Sequence, residues 1–172
     1  RALAHLGWLR SHACTGYSGL CWGYPFGVHG RGVDTPRGTP VGVVSAIAGK
    51  AFLAAHDCTG DTAHLDAARA IAEFVLRDLP RLDAGDGTFC FAYTPTDRRR
   101  VHNANLLAVE LLHDVALRTS EADLHDAAAP ALRYSLARQR EDGAWPYGEP
   151  APGDAHDPAL LKLVDHHHTG FV

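Results

Sequence analysis

Hydrophobic residues along the chain keep a helical rhythm and then keep it again. Leu65, Ala68, Ala72, Val75, Leu76 and Leu79 recur at three- and four-residue steps, as do Leu124, Ala128, Leu132 and Leu136. That spacing predicts amphipathic helices, with Glu73, Arg77, Arg133 and Arg138 on the other faces. The segments before them are different. Between Val41 and Ala55 the only charged residue is Lys50, and 104–117 is Leu- and Val-rich, interrupted by Glu110, His113 and Asp114. A helix apolar nearly all round is buried nearly all round.

These segments repeat. Asp66-Ala67-Ala68 falls on Asp126-Ala127-Ala128 at an offset of about sixty residues. Each copy joins an inner apolar helix to an outer half-exposed one through a polar turn, Thr59-Gly60-Asp61 or Thr119-Ser120-Glu121. The expected fold class is therefore all-α, an array of helical hairpins. Its units run over about 39–81 and 102–141, with flanking half units at 1–13 and 164–172. Two hairpins and two halves make roughly half of a six-hairpin ring, so 1–172 reads as one partial domain.

A second pattern punctuates the first. "GLCWGYPF" (19–26), "GTFCFAYTP" (87–95) and "GAWPYGEP" (143–150) alternate aromatic and small residues: Trp22, Tyr24, Phe26; Phe89, Phe91, Tyr93; Trp145, Tyr147. Gly and Pro mark these as short extended segments on loops. Three copies at the same end of three inner helices would form an aromatic collar around one mouth, although Trp22 and Phe89 can equally plug gaps between hairpins. Polar residues follow each collar: Asp34, then His102, Asn103 and Asn105, then Asp165, His166 and His168. Some serve as helix caps. Capping alone does not call for His and two Asn together, so a polar site at the mouth is expected.

Composition narrows the partners. A formal charge of −4 leaves no general footprint for nucleic acid. No apolar run is long enough to span a membrane. Cys14, Cys21, Cys58 and Cys90 lack CxxC spacing, as expected of free thiols in a reducing, cytoplasmic setting. There is no methionine, and the chain starts in helical rhythm, which reads as an internal piece of a longer protein.

Gln139, Gly143 and Trp145 match the Q-x3-G-x-W repeat of squalene cyclases and prenyltransferase-like α-toroids. Over the whole chain, "CWGYPF", "VGVVSAIAGKAFL", "VHNANLL", "DGAWPYGE" and "DHHHTGFV" resemble a group of bacterial and archaeal six-hairpin toroid proteins associated with surface-polysaccharide biosynthesis. The resemblance implies an (α/α)6 toroid and a saccharide substrate or ligand. The D-x-D-D motif of the cyclases is absent, which disfavours cyclase or prenyl-transfer chemistry.

The leading expectation is a carbohydrate-active enzyme of glycosidase, lyase or epimerase type. The alternative is a toroid that binds a glycan or a protein without catalysis. Glycoside hydrolysis needs an acid and a base flanking the bond. Glu149 is the expected acid, raised by neighbouring aromatics. Asp165 and His168 complete the catalytic set, with His168 in proton transfer. Trp22, Tyr24, Asp34, Tyr93, His102, Asn103, Asn105, Trp145, Tyr147 and His166 are the expected substrate contacts. Arg98-Arg99-Arg100 could meet a uronate or phosphate, or could be a solvated loop. Neither cofactor nor metal is expected, because consecutive histidines at a helix start point in different directions and cannot share one ion.

Overall fold

A computed structural model of the chain describes residues 1–30, 33–150 and 158–170. The periodic segments form helices: α1 (Ala2–Ser11), α2 (Gly42–Thr59), α3 (Thr62–Asp78), α4 (His102–Thr119) and α5 (Ala122–Leu136). Two short ones, α6 (Pro158–Leu161) and α7 (His166–Thr169), follow. α2 and α4 end on left-handed residues, Gly60 (φ 72°) and Ser120 (φ 60°), whose amides return to the carbonyls of His56 and Ala116. Such a residue stops the helix and turns the chain back. Asp61 then caps α3 by accepting from the Ala63 amide at 2.9 Å.

The inner helices α2 and α4 pack on each other, and α3 and α5 cover them. Phe52, Ile71, Phe74, Val75, Leu111, Leu112 and Val115 are fully buried between them. Gly49 permits the close approach of α2 to α4, since a Cβ there would lie 2.5 Å from the Leu111 side chain. Lys50–Glu110 (2.7 Å) and Asp57–Arg118 (2.6 Å) also bridge the two helices. Both bridges face solvent and are screened by it, so they add little.

The all-α expectation, and the half-toroid built on it, needs correction. Among the described residues about 53% are helical and about 11% extended, with three small antiparallel sheets, which makes this a mixed α/β protein. β1 (Val28–Gly30) pairs with β2 (Val33–Thr35), β3 (Arg81–Asp83) with β4 (Phe89–Phe91), and β5 (Arg100–Val101) with β6 (Gly148–Glu149). The segments expected to be long loops therefore satisfy their backbone groups in ribbons. In β4 the alternation of Phe89, Cys90 and Phe91 suits a pleated surface, and Gly85 and Gly87, both at positive φ, make the turn from β3. β5 and β6 approach so closely at Gly148 that a Cβ would sit 2.3 Å from the Arg100 carbonyl oxygen. The Gln139 side-chain amide donates to the Gly143 carbonyl at 2.8 Å, closing the turn after α5. No helix among the described residues is long and apolar enough to cross a membrane.

Candidate functional site

Three tyrosines from three separate connections meet over one cavity of about 550 Å³. Each is positioned through its own backbone carbonyl. Tyr24 accepts from Gly38, Tyr93 from the Gly42 amide at the start of α2, and Tyr147 from the His102 amide at the start of α4. The starts of α2 and α4 thus anchor two of the three loops, whose carbonyls satisfy amides that a first turn leaves free. The Tyr24 and Tyr93 hydroxyls lie 3.3 Å apart. Burial pushes the Tyr93 and Tyr147 phenols up, so both keep their protons.

The β1–β2 ribbon forms one wall. Val28 stands opposite Thr35, and Val33 lies two residues before Thr35, so the three share a face and line the cavity. His29 and Asp34 take the opposite face and pair with each other at 2.8 Å in solvent. Asp34, an expected substrate contact, is therefore directed away from the cavity by a one-residue step in the strand. Phe26 also lines the cavity and stacks on Tyr24 at 5.5 Å, while Leu163 adds apolar surface beside Tyr147, whose amide donates to its carbonyl.

The other wall is polar. Arg99 is 5% exposed, ion-paired to Asp97, and its guanidinium lies 4.6 Å from the centroid of the Tyr93 ring. Burial alone would lower its pKa, but the Asp97 carboxylate outweighs that and holds it above the usual value. The arginine run divides by environment: Arg98 is exposed, Arg99 faces the cavity, and Arg100 donates to the Asp83 carbonyl at 2.6 Å. Asp165 accepts from the His168 amide at 2.7 Å, and one of its carboxylate oxygens lies 2.6 Å from His168 Nδ1. Those two bonds hold the Asp165 carboxyl below the usual range. An ionised Asp165 can only accept, so Nδ1 carries the hydrogen of that contact and Nε2 is the ring nitrogen left outside it. The Tyr147 ring meets His168 edge-on at 4.5 Å.

Several expected site residues lie elsewhere. Glu149 on β6 accepts from Tyr134 Oη at 2.6 Å and from Arg138 Nε at 2.7 Å. Burial pushes its carboxyl up, but Tyr134 and Arg138 outweigh that and hold it below its ordinary value. The raised acid expected there is corrected to an ionised, ion-paired carboxylate outside the cavity lining. Trp22 is 6% exposed, donates from Nε1 to the Leu9 carbonyl at 3.0 Å and stacks on Phe52, which makes it core. Trp145 donates to the Ser135 carbonyl at 2.7 Å.

Asn105 is fully buried. Its Oδ1 accepts from the Phe91 amide, and its Nδ2 donates to Ala131 O and Ser135 Oγ. His102 is 1% exposed, contacts Ser135 Oγ through Nδ1 at 3.1 Å and stacks on Tyr134. Burial lowers its pKa to about 4, so it is neutral near pH 7. Asn103, half-buried, does not line the cavity. His166 opens α7, and its side chain lies outside the described residues.

The cavity thus brings together Tyr24, Tyr93, Tyr147, Asp165 and His168, and adds Arg99 and the valines of the ribbon. The valines were readable in principle. Val28 and Val33 flank a Gly-rich turn in an alternating stretch, which is the pattern of a hairpin. Among the described residues, no group of three or more His, Cys, Asp and Glu is placed to hold a metal ion. No model of a known protein family matches the chain, and no curated protein matches it.

Proposed function

We propose that the tyrosine-lined cavity binds a saccharide and that the chain acts on a poly- or oligosaccharide through His168. The observation that carries this reading is the convergence of Tyr24, Tyr93 and Tyr147 with the Asp165–His168 pair in one cavity. Phenol rings offer a flat apolar surface to a pyranose face and a hydroxyl at the edge to a sugar hydroxyl. Asp165 fixes the imidazole so that Nε2 can take a proton from a sugar hydroxyl or from a carbon-bound position. The arrangement favours proton transfer of lyase or epimerase type over hydrolysis. Hydrolysis by two carboxylates needs both at the bond, and among the described residues only Asp165 lines the cavity while Glu149 is committed to Arg138 and Tyr134.

The motif resemblance to proteins of surface-polysaccharide biosynthesis supports the same substrate class. The four free thiols support a reducing, cytoplasmic setting. Saturation-transfer NMR against methyl hexosides, methyl hexuronides and trisaccharides is the direct test. Binding that disappears in Tyr93→Ala and Tyr147→Ala is expected. His168→Ala should keep binding but lose any turnover of the sugar that binds best. If no saccharide binds the wild-type chain, the reading fails. If His168→Ala turns over normally, the chain is reduced to a binding protein.

A further inference from the structure

The cavity lining mixes two kinds of surface, and they suit different chemistry. Val28 and Val33 of the ribbon, with Phe26 before it, are apolar, and Leu163 adds apolar surface beside Tyr147, whose amide donates to its carbonyl. Arg99, Tyr93 and the Asp165–His168 pair offer polar groups in the same lining. A free sugar carries hydroxyls around its whole rim. Any that faced the valines would give up water and find no partner there, an unfavourable exchange. An apolar group on the sugar would reverse the sign, since covering Val28, Val33 and Leu163 removes apolar surface from water.

Resting on the saccharide reading above, we infer that the ligand is a glycoside with an apolar aglycone. The sugar meets Tyr93 and His168, and the aglycone lies along the β1–β2 ribbon. The ribbon is built for this. Its pleat directs both valines inward and sends His29 and Asp34 to solvent, so the cavity wall is apolar while the outer face stays charged and wet.

The test compares methyl, hexyl and phenyl β-glycosides of the same sugar, with hexanol as the apolar control, by calorimetry below any aggregation of the alkyl glycoside. Each buried methylene contributes up to about fourfold in affinity, so burying even two of the added methylenes should make the hexyl glycoside bind on the order of tenfold tighter than the methyl one. Val33→Ser and Leu163→Ser should bring the hexyl-to-methyl affinity ratio toward one, and that ratio is the readout whatever either variant does to the methyl glycoside alone. Val33 is half-buried and Leu163 exposed, so these variants should fold. A tighter hexyl glycoside identifies an alkyl chain as the aglycone, and a tighter phenyl glycoside identifies an aromatic one. Equal affinity for all three glycosides would overturn this inference and leave the saccharide reading intact. Binding of hexanol as tight as that of hexyl glycoside would overturn the saccharide reading. No binding by any probe would overturn both.

Discussion

The two helix pairs share a backbone and differ in the polar content of their first turns. α2 begins at Gly42 and α4 at His102, and both take a loop amide onto a side chain one turn in. Ser45 Oγ accepts from the Trp22 amide at 3.1 Å, and Asn105 Oδ1 accepts from the Phe91 amide at 2.9 Å. Gly42 and His102 likewise donate their backbone amides to Tyr93 and Tyr147. The first pair stops there. In the second pair Asn105 also donates to Ala131 and Ser135, and His102 reaches the same Ser135 hydroxyl. The shared bonds are what hold an aromatic loop on the end of a helix, and they tolerate either Ser or Asn. The added bonds form a buried network that ties α4 to α5, where every member depends on the others.

The largest break in this comparison should come from Asn105→Leu. It strands the Phe91 amide in the core and removes a donor from the Ala131 carbonyl and the Ser135 hydroxyl, and we expect a loss of about 3 to 4 kcal/mol in urea unfolding. A loss no greater than that of Ser45→Ala would show that the extra bonds contribute nothing.

Acid should separate the pairs next. His102 is held neutral, with its pKa near 4 in the fold against about 6.5 when unfolded. Between those values the unfolded chain holds a proton that the folded chain lacks, so stability falls as pH drops through the window and levels off below it. The full effect approaches about 3 kcal/mol. Glu149, held below its ordinary value, adds to the loss only below about pH 4.5. The slope between pH 6.5 and 4.5 therefore reports His102, and His102→Gln should flatten it; an unchanged slope would remove His102 from the account. Gly42, its counterpart in the first pair, has no titrating group.

Ser45→Ala, which removes one acceptor from a buried amide, should cost about 1 to 2 kcal/mol and leave the acid slope as it was. The smallest effect lies at the turns. Ser120 holds φ 60° where Gly60 holds 72°. Ser120→Gly should gain, and Gly60→Ala should lose, about 0.5 to 1 kcal/mol each in thermal or urea unfolding. Effects of the same sign would mean that the two turns are not equivalent.

Local pattern was enough for the helices. Their apolar spacing, the Asp61 cap and the turns at Gly60 and Ser120 all act within a few residues, so the repeat of α2–α3 in α4–α5 was legible before any tertiary contact. Tyr24, Tyr93 and Tyr147 were also visible as recurring loop aromatics. The bonds that place them were not: Tyr93 reaches the cavity with its carbonyl taken by Gly42 from a distant helix start, while Phe91, two residues earlier, is buried.

The remaining differences have the same physical origin. Strand pairing turns Asp34 outward and brings Val28 and Val33 in. It also makes three ribbons from segments that alone show only Gly, Pro and alternation, and this changes the fold class. Glu149 carries a side chain able to act as an acid, yet its state is set by Arg138 and Tyr134 from α5 and the turn after it. His102 and Asn105 look like polar ligands at a helix start, and only the packing of α5 over α4 seals them inside. Sequence alone determined where the long helices form, because helices and caps are local; tertiary structure decided which extended segments pair and which polar groups meet solvent, each other or a ligand, because pairing, burial and partners come from the rest of the chain.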